Sequence, residues 1–118
     1  MFAREMLTTL GPGAANAING SVAATFTAAG TTQATATAIT CVNTNITTGS
    51  DGQGALLPAS MQAGDTGKIC NTLSVNILVY PTSGGQINGK TANNPVVLGA
   101  NQAMTFTYVT GSNVIATF

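Results

Sequence analysis

Residues 67–89, GKICNTLSVNILVYPTSGGQING, contain the densest succession of strand and turn signals in the chain. Residues 68–70 form a short apolar run, residues 71–74 are typical of a turn, and residues 75–80 alternate β-branched and other side chains. Pro81 cannot donate a hydrogen bond to a neighbouring strand, so a strand should end there. The pattern predicts a β-hairpin. Its second strand is apolar on both faces, and we expect it to be the central strand of the core.

Length and composition limit the rest of the molecule. The chain has 118 residues, only 5% of them charged, with three basic and three acidic side chains, where about 25% charged residues is usual. This length predicts one domain with a modest core. A neutral polar surface favours association, so we expect much of it to be buried in an assembly. Without a basic patch the chain is not expected to bind nucleic acid, and its scattered apolar residues do not indicate a membrane segment.

The N-terminal segment has its own pattern. Phe2, Met6 and Leu10 are spaced four residues apart, which predicts one stripe of a short helix that ends at Gly11-Pro12-Gly13. Two interpretations are open: a frayed terminus, or an arm whose stripe contacts the capsid or a neighbouring subunit, since so short a helix is marginal without a partner. We therefore divide the chain into residues 1–30, an arm with a short helix and a first strand, and residues 31–118, a β domain.

The body contains short strand signals about ten residues apart, separated by Gly, Asn and Pro. Residues 103–109 alternate clearly, with Met104, Phe106 and Tyr108 on one face. Further strands are predicted near residues 39–42 and at the segments 21–27, 55–57, 96–98 and 114–118. The sequence thus predicts an all-β fold, a small antiparallel β-sandwich or barrel-like domain with an extended N-terminal arm.

The sequence contains few groups suited to catalysis. It has no His, the commonest general base and metal ligand, and its carboxylates Glu5, Asp51 and Asp65 are far apart in the chain. The Gly-rich residues 49–54 have neither GxGxxG spacing nor a Walker lysine. We expect no enzymatic activity, no cofactor and no metal.

The two cysteines, Cys41 and Cys70, are expected to be reduced and buried on strands. The start of the chain shows no secretion signal, which favours reduced thiols and synthesis in the cytoplasm. A disulfide is the alternative.

Six short motifs follow one another between residues 31 and 106: TTQATA (31–36), IT (39–40), GALLPA (54–59), VYP (79–81), QING (86–89) and AMTF (103–106). In this order they resemble a module of tailed-bacteriophage virion proteins, which commonly show TTQATAT, an LPA turn, VYP and DxINGxxxN. The resemblance extends from Thr31 to Thr117. It departs at Gln86, where an acidic residue is common, and at Val114-Ile115, where an aromatic residue often stands.

The resemblance implies a structural virion protein. We expect a capsid decoration or cement subunit that binds and stabilises the outer surface of a bacteriophage head shell, with the major capsid protein as partner. The family also includes parts of fibres, so a tail fibre or tail-adaptor subunit is the alternative. The short chain beginning at Met1, the small-residue arm and the absence of Trp favour decoration.

The same resemblance implies a homotrimer, because a shell offers threefold positions. It also implies a protein made in the host cytoplasm and located on the capsid outer surface of the virion, with no nucleic acid and no membrane among its partners.

Overall fold

The computed structural model describes residues 21–59 and 61–118, and their secondary structure is all β. Within them no helix is long and apolar enough to cross a membrane. The strands of this part of the chain are β1 (Val22–Thr27), β2 (Thr37–Ala38), β3 (Asn43–Thr48), β4 (Gly54–Leu56), β5 (Thr66–Asn71), β6 (Ile77–Tyr80), β7 (Gln86–Ile87), β8 (Val96–Leu98), β9 (Gln102–Tyr108) and β10 (Asn113–Thr117).

From β1 to β6 the chain alternates between two sheets. Strands β1, β3 and β5 lie parallel in a six-stranded sheet of order β1-β3-β5-β9-β10-β7. Strands β2, β4 and β6 lie parallel in a four-stranded sheet of order β2-β4-β6-β8. Each odd strand and the even strand that follows it therefore form one coil of a solenoid-like arrangement.

The last strands close this arrangement with antiparallel pairs. Strand β9 pairs with β5 from Thr66↔Thr107 to Asn71↔Gln102, and β10 then pairs with β9. In the smaller sheet β8 pairs with β6. Strand β7 lies parallel to β10 at the far edge of the six-stranded sheet.

The expected antiparallel sandwich or barrel-like domain is therefore corrected to parallel coils with antiparallel additions. The predicted hairpin is also wrong, because β5 and β6 belong to different sheets. The Asn71 side chain accepts a hydrogen bond from the Leu73 amide at 3.0 Å and donates one to the Val75 carbonyl at 2.8 Å. These contacts hold the segment through which the chain crosses from one sheet to the other. Strand β6 does lie between β4 and β8, which confirms a central strand in the smaller sheet.

The core lies between the inward faces of the two sheets. Alternation places every second side chain inward, and the predicted face of Met104, Phe106 and Tyr108 is buried. The Phe106 and Tyr108 rings meet edge to face, with centroids 6.0 Å apart. Other buried apolar side chains come from both sheets: Ile46, Ile69, Ile77, Val79, Ile87 and Leu98. One continuous core therefore joins the coils to the antiparallel strands.

The predicted first strand is present as β1, which pairs with β3 from Val22↔Asn43. The predicted helix, with Phe2, Met6 and Leu10, lies outside the described residues. The division at residue 30 into arm and body therefore stays a prediction.

Candidate interaction surface

Three of the motifs that carry the resemblance are bonded to one another. The Gln33 side-chain amide donates to the Pro81 carbonyl at 2.7 Å, and the Tyr80 hydroxyl donates to the Thr31 carbonyl at 3.1 Å. The Leu57 amide donates to the Tyr80 carbonyl at 2.9 Å. The segments TTQATA, GALLPA and VYP thus fasten successive coils together, which gives these motifs a structural role.

The QING motif fastens β7 to the final strand. The Asn88 side chain donates to the Ala116 carbonyl at 3.0 Å and accepts from the Ala116 amide at 2.8 Å. Asn88 has a φ of 54°, in the left-handed region that Asn tolerates better than most residues. The motif therefore forms a tight turn and also makes two side-chain hydrogen bonds to the backbone of Ala116.

Tyr108 makes a further hydrogen bond between distant parts of the chain. Its hydroxyl donates to the Pro58 carbonyl at 2.7 Å in a buried environment. Burial, with a smaller effect from the negative charge of Asp65, raises the pKa of Tyr108 from 10.0 to about 12. The hydroxyl therefore keeps its proton at neutral pH and acts as a fixed donor to the LPA turn.

The acidic side chains of the described residues hold turns. Asp51 accepts a hydrogen bond from the Asn76 amide at 3.1 Å, and Asp65 accepts one from the Gln62 amide at 2.9 Å. Across residues 21–59 and 61–118, no group of three or more His, Cys, Asp or Glu could hold a metal ion. These contacts assign Asp51 and Asp65 a structural role.

Both cysteines are free in the structure, and both are half-buried. Cys70 lies in β5, with its side chain on the outward face of the six-stranded sheet, whereas Cys41 precedes β3. The prediction that both cysteines are buried is therefore wrong, and the prediction that they lie on strands is confirmed for Cys70 but wrong for Cys41. Their reduced state stays a prediction.

The outward face of the six-stranded sheet, called the sheet face below, is almost uncharged. In each strand the alternate residues point into the core, which identifies the outward set. One row crosses the sheet through Val22, Asn43, Lys68, Thr105 and Thr117, as the strand registers show. Neighbouring outward positions are Asn45, Thr66, Cys70, Ala103, Thr107 and Ile115.

The sheet face carries little charge and exposes apolar side chains. The charged side chains in the described part of the chain are Asp51, Asp65, Lys68 and Lys90, and among these only Lys68 lies on this face. Val22, on edge strand β1, is 64% exposed, and Ile115, on β10, is 53% exposed. Such a face is suited to contact through apolar side chains and neutral hydrogen bonds.

The structure does not place the predicted contact residues Phe2, Met6 and Leu10, which are outside its described residues. The sheet face is a candidate that sequence reasoning missed. The alternation of Thr105 and Thr107 with buried residues was a visible signal. What the sequence lacked was the strand order that brings Thr105 beside Lys68 and Asn43.

Comparison with known proteins adds no identification. No family model matches the chain, and no curated protein shows significant sequence similarity to it. Any function must therefore be argued from the motif resemblance and the geometry described above.

Proposed function

We propose that this protein is a non-catalytic structural subunit of a tailed-bacteriophage virion, a capsid decoration or cement protein that binds the outer surface of the head shell. The observation that carries the proposal is the sheet face, which spans strands β1, β3, β5, β9 and β10 and bears one charged residue, Lys68. The motif resemblance supplies the class of particle, and the major capsid protein is the partner.

The chemistry of the sheet face determines how it would attach. Exposed ion pairs contribute only about 0–1 kcal/mol each, and Lys68 can form few of them. Burial of apolar surface contributes about 25 cal/mol per Å², and Val22 and Ile115 have exposed apolar surface to bury. Thr and Asn side chains add neutral hydrogen bonds. Attachment through this face should therefore be largely insensitive to salt.

A homotrimer on the shell is the proposed assembly. A head shell offers threefold positions, and a trimer with threefold symmetry has the same symmetry as the capsid at such a position. The proposed location is thus the capsid outer surface, after synthesis in the host cytoplasm.

A tail fibre or tail-adaptor subunit is the second candidate, and one observation favours it. The parallel coils end in the edge strands β1 and β2, and stacked coils of this kind extend along one axis in solenoid proteins. Position on the particle separates the two candidates, because a shell subunit and a tail subunit occupy different places.

Binding to particles assembled without the protein tests the role of the sheet face. Ile115 on this face and Val97 on the four-stranded sheet are each 53% exposed, so Ile115→Glu and Val97→Glu form a matched pair. We expect Ile115→Glu to weaken binding at least tenfold in a sedimentation assay and Val97→Glu to leave it unchanged. We also expect the wild-type protein to stay bound in about 1 M NaCl, where the Debye length is about 3 Å.

Two results would contradict the proposal. Undiminished binding by Ile115→Glu would remove the sheet face from the contact. Release of the wild-type protein by salt, while mild urea leaves it bound, would show that charge governs attachment.

A further inference from the structure

A groove of about 620 Å³ lies where successive coils turn from the four-stranded sheet to the six-stranded sheet. Three separate segments line it: Ser21 before β1, the connection from β2 to β3 with Ile39 and Cys41, and the connection from β4 to β5 with Pro58 and Met61. The groove is therefore built by the coil repeat itself and is distinct from the sheet face.

The lining of the groove is mainly apolar. Ile39 is only 2% exposed, and Met61 packs against the buried core. Among the described residues that line the groove, Asp65 supplies the one charged side chain. A mainly apolar floor is suited to a peptide segment that presents a row of apolar side chains.

The N-terminal segment of the chain joins the described body at this groove. Ser21 lines it and is fixed there, because its carbonyl accepts from the Asn43 amide at 3.1 Å and its hydroxyl accepts from the Val42 amide at 3.1 Å. Residues 1–20 therefore connect to the body at the edge of the groove.

The composition of residues 1–20 matches the groove. Phe2, Met6 and Leu10 form an apolar stripe at helical spacing, and the two charged side chains of the segment, Arg4 and Glu5, are adjacent and opposite in sign. Twenty residues can span up to about 66–72 Å when extended, so the stripe can reach the groove of its own chain. Tethering at Ser21 also gives it an effective concentration in the millimolar range, typical of short links.

We infer that the groove is the docking site for residues 1–20 of the same chain. The stripe of Phe2, Met6 and Leu10 contacts the floor formed by Ile39, Pro58 and Met61. This inference does not depend on the proposed virion function.

The two cysteines provide a direct test, because Cys41 lines the groove and Cys70 lies on the sheet face. The full-length chain is prepared with Cys70→Ser or with Cys41→Ser, so that one thiol remains in each. The rate of reaction with a maleimide is then compared with and without the triple change Phe2→Ser, Met6→Ser and Leu10→Ser.

We expect the triple change to speed the reaction of Cys41 at least tenfold and to leave the rate of Cys70 unchanged. Leu7→Ser, which removes an apolar side chain outside the stripe, should leave both rates unchanged. An unchanged Cys41 rate would overturn the inference. Equal acceleration at both cysteines would overturn it too, because it would indicate general loosening of the body.

A disulfide test distinguishes the same chain from a second copy. Ala3→Cys is introduced into the full-length Cys70→Ser chain, and the protein is oxidised under dilute conditions. We expect a monomer in which the new thiol is bonded to Cys41. Formation of disulfide-linked dimers instead, or protection of Cys41 that disappears on dilution, would assign the groove to the segment of another subunit and overturn the intrachain inference.

Discussion

Replacement of Asn71 by Asp is the sharpest test of how the coils are connected. Asn71 is fully buried at the end of β5. Its amide nitrogen lies 2.8, 3.2 and 3.0 Å from the carbonyl oxygens of Val75, Leu98 and Gly99. The two N–H groups are therefore shared among three acceptors. One side chain thus ties the crossing from β5 to β6 to the turn between β8 and β9. Asn71→Asp keeps the shape but exchanges the donor for an acceptor.

The magnitude follows from these contacts. The buried Leu98 carbonyl costs about 1–3 kcal/mol when it loses its donor, and an uncompensated buried charge costs about 3–5 kcal/mol. We therefore expect Asn71→Asp to lower the free energy of unfolding by at least about 3 kcal/mol, a large part of the 5–15 kcal/mol typical of a domain.

Urea unfolding at neutral pH measures this loss. With a denaturant slope of about 1–3 kcal/mol per molar urea, the midpoint should fall by at least about 1 M. Asn94→Asp is the matched control, because Asn94 is exposed, and its free energy of unfolding should change by less than about 0.5 kcal/mol. A loss below about 1 kcal/mol for Asn71→Asp would refute the assignment of Asn71 as the connection between these turns.

Two further substitutions test the packing. Tyr108→Phe should cost about 1–3 kcal/mol at neutral pH, because the Pro58 carbonyl loses its donor; a thermal melt that matches wild type would contradict this. Because burial raises the pKa of Tyr108 from 10.0 to about 12, the stability that the protonated Tyr108 hydroxyl contributes is complete below pH 10 and is lost as the pH rises through about 12. Tyr108→Phe has no hydroxyl to titrate, so its free energy of unfolding, measured with urea, should approach that of the wild type at high pH. A difference between the two proteins that stays constant with pH would contradict this expectation. Gly67→Ala should lower the free energy of unfolding by about 1–3 kcal/mol through overpacking, since a Cβ there would lie 2.5 Å from the Val42 carbonyl oxygen and against the Phe106 ring. Gly111→Ala is the control, because a Cβ there would lie 3.9 Å from its nearest neighbour. Equal melting temperatures for the two variants would contradict the expectation.

Local patterns predicted most strands but not their partners. Residues 55–57, 96–98 and 103–109 overlap β4, β8 and β9, because apolar alternation and turn residues mark each one locally. An Asn-Gly pair is typical of a turn, and Asn88 and Gly89 both have positive φ. The pairing of the strands could not be predicted in this way, because the local pattern of a strand does not indicate which other strand it pairs with.

The strands that were missed lacked a local signal. Strand β3 reads NTNITT, and Ile46 is its one large apolar side chain. It forms a strand because it lies between β1 and β5, a tertiary effect that outweighs weak propensity. Strands β2 and β7 have two residues each, too few for any periodicity.

The candidate site was predictable only in its chemistry. The low charge of the chain already indicated association through neutral contacts. The sheet face needed the order β1-β3-β5-β9-β10, which depends on the crossing at Asn71 that sequence reasoning took for a hairpin turn. The predicted contact of Phe2, Met6 and Leu10 with the capsid or a neighbouring subunit stays a prediction, and docking in the groove of the same chain is the alternative to it.

Cryo-electron microscopy of the virion in which we propose that this chain is a subunit tests the central claim most directly. The account predicts density on the outer surface of the head shell, three copies around each occupied position, with a two-sheet β body whose six-stranded sheet faces the major capsid protein. Density for this body in the tail or a fibre, or a head shell without it, would contradict the account.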